Sequence, residues 1–192
     1  MKKFIALTLA LFLYAVSTLN SNVVNQFWVP SVYKGDGQFE HPKTITPLLD
    51  PIQLDCMAKN IYFEAATQST AGKLAVAFVT KNRVDSTHFP STFCDVIYEG
   101  PHYASGHPKR DRCQFSWYCD GMGDNPREGY GWRNSQSVAK WFYDHKDRLM
   151  DITDGATHYH ANWMEKFPKW SKKYKKNVTI DDHIFYKRSY NF

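Results

Sequence analysis

The chain has 192 residues, a formal net charge of +5, six Trp, twelve Tyr and thirteen Phe. That length suits one domain with an additional segment. So many rings exceed the needs of a small core, and some are expected to line a groove for sugars or an extended polymer. Nothing resembles a phosphate-binding glycine loop, a Ser-His-Asp arrangement or a nucleic-acid module.

Residues 1–17 read as an export signal. Lys2 and Lys3 form a positive start, Phe4 to Val16 is apolar apart from Thr8 and the Tyr14 hydroxyl, and Ala15-Val16-Ser17 offers small residues for cleavage. The apolar stretch is shorter than the ~20 residues of a spanning helix. Removal is expected, and an uncleaved membrane anchor is the alternative. Residues 18–49 lack periodicity and carry Pro30, Gly35, Gly37, Pro42 and Pro47, so they read as a linker or strap. The folded domain is expected over 50–192.

Asp50-Pro51-Ile52-Gln53 has a capping-box pattern with proline at the first helical position. Leu54, Ala58, Ile61 and Ala65 follow at helical spacing, giving a helix over 51–64. Gln68-Ser69-Thr70 breaks the pattern and recaps a second helix, in which Ala71, Leu74, Ala75, Phe78 and Val79 form an apolar stripe that runs to about Val84. Pro90-Ser91 opens a shorter helix near 91–99. Residues 100–131 are rich in Gly, Pro, His, Asp and aromatics, and predict loops with a small hairpin near 114–118. A further helix places Val138, Trp141, Phe142 and Leu149 on one side. Residues 157–161 and 182–187 read as short extended segments. The pattern is α+β, a mainly helical body with a small strand region.

Export makes the cysteines legible. Cys56, Cys94, Cys113 and Cys119 are an even number in an oxidising compartment, so two disulfides are expected. Cys113–Cys119 would close a short loop, and Cys56–Cys94 would tie two helices together. There is no Cys-x-x-Cys pair to suggest zinc. All four have a structural use, which leaves no catalytic thiol. Late in the chain, Lys166, Lys169, Lys172, Lys173, Lys175 and Lys176 stand against Glu165. Such a run is either a solvated face or an attraction to an anionic polymer. With export, wall polymers and lipid surfaces fit better than nucleic acid.

Glu64 is the first chemical candidate. It lies where the first helix ends, in Ile61-Tyr62-Phe63-Glu64-Ala65-Ala66. Desolvation among rings and alanines raises a carboxyl pKa and keeps a proton available for a glycosidic oxygen. The bland alternative is a solvated glutamate at a helix end.

Tyr62-x-Glu64-Ala65, Gly72-x-x-Ala75-Val76-Ala77-x-Val79-x-x-Asn82-Arg83-Val84 and Phe89-Pro90 occur in order. Cys113-Gln114-Phe115-Ser116-Trp117, Asp120-Gly121, Asp151-x-Thr153-x-Gly155-Ala156-x-x-Tyr159-His160 and His183-x-Phe185-Tyr186 follow them. This series resembles the spore cortex-lytic enzyme type of cell wall hydrolase, the SleB-like family, over residues 50–187. The resemblance implies a lysozyme-like catalytic domain over 50–192. It also implies cleavage of peptidoglycan between N-acetylmuramic acid and N-acetylglucosamine, without a cofactor or metal. It places Glu64 at the family's catalytic glutamate and Gln114, Phe115, Ser116, Tyr159 and His160 around the groove. Packing is the plainer account of those five.

One departure matters. Several relatives follow the glutamate with Ala-Arg-Gly-Glu, whereas this chain has Ala65-Ala66-Thr67-Gln68. A second carboxylate to activate water is missing there. Lytic transglycosylation needs only one, because the muramic C6 hydroxyl attacks within the same sugar. It is therefore preferred to muramidase-type hydrolysis, for which Asp85, Asp120 and Asp124 are the alternative second carboxylates. Arg83 and Asp55 read as structural, each suiting its end of a helix dipole.

Two rival classes are carried forward. His158, His160 and His183 would serve a zinc amidase or peptidase of the wall peptide, although there is no His-Glu-x-x-His. The aromatics and the basic run would equally serve a non-catalytic wall-binding module. Membrane association is expected only through the N-terminal segment, and a monomer is the default.

Overall fold

The computed structural model describes residues 50–188 together with two short strands upstream, β1 (Val32–Tyr33) and β2 (Phe39–Glu40). The two strands pair antiparallel, Val32 with Glu40 and Tyr33 with Phe39. They fall in a unit, Met1–Thr46, separate from Pro47–Phe192. The expected export signal and most of the expected linker lie outside the described residues. Among the described residues, no helix is long and apolar enough to cross a membrane.

Helix α1 (Pro51–Ala65) starts at Asp50, whose carboxylate accepts from the amides of Ile52 at 2.9 Å and Gln53 at 3.4 Å. The other half of the expected capping box is used elsewhere. The Gln53 side chain turns to the Cys94 amide at 3.1 Å, beside the Cys56–Cys94 disulfide that joins α1 to α3 (Phe93–Ile97). Helix α3 is shorter than the expected 91–99 because Thr92, not Ser91, caps it, accepting from the Asp95 amide at 3.1 Å.

Helix α2 (Thr70–Val84) is the central element. Residues 75–80 are all buried, because the helix has neighbours on opposite sides. Ala77 and Phe78 join Met57, Ile61, Ile97 and Phe142 of α1, α3 and α4 (Tyr130–His145). Ala75 and Val79 pack on Ala156 and Phe185 of the strand region. Ala71, expected in the apolar stripe, is exposed, because it lies in the first turn ahead of both clusters. On α4, Val138 and Phe142 are buried, whereas Trp141 is 45 % exposed and stacks on His145 at 4.8 Å. Leu149 lies beyond the end of that helix and still packs on the core.

The hairpin expected near 114–118 is a 3-10 turn, Ser116–Cys119, inside the Cys113–Cys119 loop. Trp117 decides this. Its ring stacks on Phe63 at 4.6 Å and its indole N–H donates to Asn60 Oδ1 at 3.0 Å, drawing the segment onto α1 as a tight turn.

Strands β3 (His158–Ala161), β4 (Lys175–Ile180) and β5 (His183–Lys187) form an antiparallel sheet in the order β3-β5-β4. Successive side chains face opposite sides. Tyr159 and Phe185 face α2, while His158, His160 and Tyr186 lie under Trp170 on the other side. β4 starts in the last two lysines of the basic run and was not expected from the sequence. Its Lys175-Lys176-Asn177 start shows no apolar alternation, and its register shifts between Lys176 and Val178. The result is an α+β, lysozyme-like domain.

Candidate active site

Glu64 occupies the last turn of α1. One turn earlier, buried Asn60 donates to Thr80 Oγ1 at 3.2 Å and accepts from Trp117, while Thr80 donates to the Val76 carbonyl at 3.0 Å. This network is wholly satisfied and fixes α1, α2 and the 3-10 turn relative to one another, as buried polar groups require. From that crossing, the next turn of each helix carries Glu64 and Arg83.

Glu64 is partly buried, and its Oε2 accepts from the Tyr159 hydroxyl at 2.9 Å. Burial raises its pKa above the usual carboxyl value, although the Tyr159 hydrogen bond and the Arg83 charge pull the other way. Tyr159 is in turn held well above the usual phenol value by burial and by Glu64, so it remains a donor.

Arg83 lies in the last turn of α2, where a cation suits the dipole, but its side chain turns inward and is only 4 % exposed. Its Nε donates to the Thr157 carbonyl at 2.8 Å, and its guanidinium lies 4.7 Å from the Phe115 ring centre and 5.4 Å from that of Phe89. The Asp151-x-Thr153-x-Gly155 motif explains how Thr157 is held. Asp151 accepts from the Thr153 amide at 2.8 Å, the Thr153 hydroxyl at 2.7 Å, the Gly155 amide at 2.7 Å and Asn82 at 2.8 Å. Burial pushes the Asp151 carboxyl up, but these bonds outweigh it and hold the group below its usual value. The motif is a clamp between α2 and β3.

Glu64, Gln114, Phe115, Ser116, Tyr159 and His160 all line one cleft of about 390 Å³, together with Arg83, Trp163 and His183. Their roles differ. Gln114 and Ser116 are exposed, whereas Phe115 is 2 % exposed and serves as packing under Arg83. His160 is 6 % exposed, with Nδ1 on the Ala161 carbonyl at 2.9 Å and Nε2 on the Tyr186 hydroxyl at 3.0 Å. Arg83, Trp163 and His183 were not singled out as groove residues from sequence. Trp163 is 75 % exposed at the cleft edge. His183 lies edge-on to Tyr159 at 5.0 Å, and burial lowers its pKa. Arg83 Nη1 and His183 Nδ1 are buried without a partner among the described residues.

The three histidines of the zinc reading do not converge. His158 and His160 share one face of β3, while His183 pairs with Ala161 and lies on the opposite face with Tyr159. Among the described residues, no group of three His, Cys, Asp or Glu could hold a metal ion. The candidate second carboxylates also lie elsewhere. Asp85 pairs with Lys81, Asp120 accepts from the Met122 amide at 2.7 Å, and Asp124 neighbours Asp120 and Lys59. Gln68 faces the β4–β5 turn, donating to Asp182 Oδ2 at 3.0 Å and accepting from the Asp182 amide at 3.2 Å. A glutamate could not make both bonds. Among the described residues, Glu64 is the sole carboxylate lining the cleft.

The sequence pattern of the Cell Wall Hydrolase family matches residues 67–186, well over half of the chain. The chain belongs to the cell wall hydrolase family. Glu64 lies just ahead of the matched residues. Among solved structures, the chain is similar to the catalytic domain of the germination-specific lytic transglycosylase SleB from Bacillus anthracis. Identity there is 26 %, the TM-score is 0.51, and the match covers 70 % of this chain and 93 % of that one. It shares its fold with the catalytic domain of the Bacillus cereus SleB protein, at 22 % identity, a TM-score of 0.50, and 88 % and 100 % coverage. No curated protein matches significantly. As a family member, the chain is an enzyme of cell wall degradation, which sets aside the wall-binding module as its class.

Proposed function

We propose that this enzyme cleaves the bond between N-acetylmuramic acid and N-acetylglucosamine by lytic transglycosylation, with Glu64 as acid and then base. The carrying observation is that, among the described residues, no second carboxylate lines the cleft of Glu64. Hydrolysis normally uses two, about 5–9.5 Å apart. In the proposed reaction the Glu64 proton passes to the glycosidic oxygen as the bond to the muramic C1 breaks. The muramic C6 hydroxyl then bonds to C1 and returns its proton to Glu64, closing a 1,6-anhydro ring. An intramolecular hydroxyl has an effective concentration of order 10⁵ M or more in favourable geometry, which replaces an activated water.

The surroundings support this cycle. Tyr159 occupies Oε2 as a donor, which leaves Oε1 to carry the proton. The raised pKa of Glu64 favours the protonated form before reaction, and Arg83 stabilises the carboxylate once the proton has gone. Arg83 and His183 keep nitrogens without a partner among the described residues beside the cleft, and Gln114, Ser116 and Trp163 supply polar and aromatic contacts for sugar. The catalytic domain is taken to be 50–192, preceded by an export signal and a linker. Two disulfides fit an oxidising compartment outside the cytoplasm.

Mass spectrometry of peptidoglycan digested with the wild type and with Glu64→Gln, in chelator, tests the reading. Anhydro-muropeptides from the wild type alone are expected. Reducing-end muramic products would establish a muramidase instead, and glycan left intact by the wild type would end the glycosidase reading.

A further inference from the structure

A larger cavity, about 660 Å³, lies on the other side of the α1 terminus. Tyr62 and Ala66 contribute to it; they are i and i+4 on one helix face, with Glu64 between them facing away. Trp132, 9 % exposed, joins Tyr62 in edge-to-face contact at 5.9 Å and forms an apolar floor. Gly131 packs beside it, where a Cβ would stand at ordinary contact distance, 3.7 Å, from both Ala66 and Tyr62.

The polar part of the lining is unusual. Lys73 is 4 % exposed, yet no carboxylate among the described residues lies within ion-pair distance of it. Among the described residues its ammonium bonds to the Gln68 carbonyl alone, one partner for three donors. Asp181, the nearest acidic influence, is engaged with the Ser69 amide at 2.9 Å. Buried lysines are normally paired. Beside Lys73, helix α4 begins at Gly129 without a side-chain cap, so its first amides keep their donors and positive end on the same cavity. Arg127 adds a second cation at the exposed rim, opposed there by Glu128.

We propose that this cavity binds a free carboxylate of a wall peptide stem, with Lys73 as its cationic partner. The origin of that peptide rests on the glycan-cleaving reading; the anion-binding chemistry does not. Reach is sufficient. A helix is about 10–12 Å across, and an extended chain spans about 3.3–3.6 Å per residue. A stem of about four residues leaving a muramic sugar beside Glu64 therefore crosses to the Lys73 side. Peptide-bearing glycan would be preferred over stripped glycan for this reason.

The test is calorimetric titration of the full-chain Glu64→Gln protein with a synthetic stem tetrapeptide, its fully amidated form and inorganic phosphate. The free-acid peptide is expected to bind at least about tenfold more tightly than the amide. Adding Lys73→Met should remove that difference, and Arg127→Gln, an exposed change that leaves the fold intact, should reduce it a few-fold. Lys73 acting only as a buttress for the Gln68 carbonyl would lower the melting temperature and leave relative affinities unchanged. That result overturns the proposal, as does equal binding of acid and amide. Phosphate matching the peptide would reduce the cavity to an unspecific anion site and overturn the peptide assignment. Because the Glu64→Gln protein does not turn over, these outcomes are separate from the digestion experiment.

Discussion

The two sides of the last turn of α1 treat charge in opposite ways. On one side a lone carboxyl, Glu64, is desolvated and held by a neutral donor, Tyr159, with Arg83 nearby but anchored to the Thr157 carbonyl. On the other side an ammonium, Lys73, is enclosed with the Gln68 carbonyl as its hydrogen-bond partner and, among the described residues, no carboxylate closer than the charge of Asp181. Both depart from the rule that buried charges are neutralised in pairs. A carboxyl kept away from a full ion pair retains a proton to give; an ammonium without a counter-ion retains an attraction for one. The last turn of α1 borders both because Glu64 faces one cleft while Tyr62 and Ala66 face the cavity that Lys73 of α2 lines.

The sharpest way to break the comparison is Glu64→Gln. Loss of a general acid contributes on the order of 10³-fold in rate, about 4 kcal/mol of barrier. Release of anhydro-muropeptides should fall by that order, with the melting temperature and stem-peptide binding unchanged. A parallel loss of peptide binding would mean that the two sides form one site.

Asn60→Ala should weaken both sides together. It strips partners from Trp117 Nε1 and the Thr80 hydroxyl, both buried, at a cost of about 2–3 kcal/mol in chemical denaturation. An effect on activity alone would contradict the scaffold role assigned to this network.

Tyr159→Phe sharpens the Glu64 side. Rate is expected to fall about tenfold, near 1.4 kcal/mol. The sign of the pH effect is the distinguishing readout. The hydroxyl favours the carboxylate, so its removal raises the Glu64 pKa further, and the alkaline limb of the activity profile should move to higher pH. A limb that moves down or stays in place would remove Tyr159 from that role.

The smallest effect expected at neutral pH belongs to the far face of the sheet. Burial, assisted by Arg83 and Arg188, lowers His158 to about 4 from an ordinary 6.5. The unfolded chain then binds more protons than the folded one between those values, so stability should decline as pH falls from about 6.5 towards 4. His158→Gln should flatten that slope in thermal melts, and NMR should show His158 neutral at pH 6.

Much of this was legible in the sequence. Caps and apolar spacing located α1, α2 and α4, because those signals are local. The partial burial of Glu64 was visible as a desolvating neighbourhood of Tyr62, Phe63 and alanines. What escaped depends on long-range contacts. Arg83 sits where a dipole partner is expected, and only the packed positions of Phe89, Phe115 and Thr157 turn it inward. The 3-10 turn at 116–119 follows from Trp117 meeting Asn60, 57 positions away. β4 was hidden by lysines, which a strand with one exposed edge accepts readily. His183 was weighed as a metal ligand because strand register, which puts it beside Tyr159, is not written locally.

Gly72 carries a consequence for how such a chain can change over time. A Cβ at this position would stand 2.4 Å from Asp181 Oδ2 and 2.8 Å from Gln68 Cβ, so those two side chains would have to shift for any side chain at position 72. The exclusion is mutual. While Asp181 holds the Ser69 amide, a side chain at 72 would have to displace that carboxylate, and loss of Asp181 would relieve this clash but leave the one with Gln68. Positions 72 and 181, more than a hundred residues apart, should therefore drift together with position 68, with glycine kept while both neighbours stay.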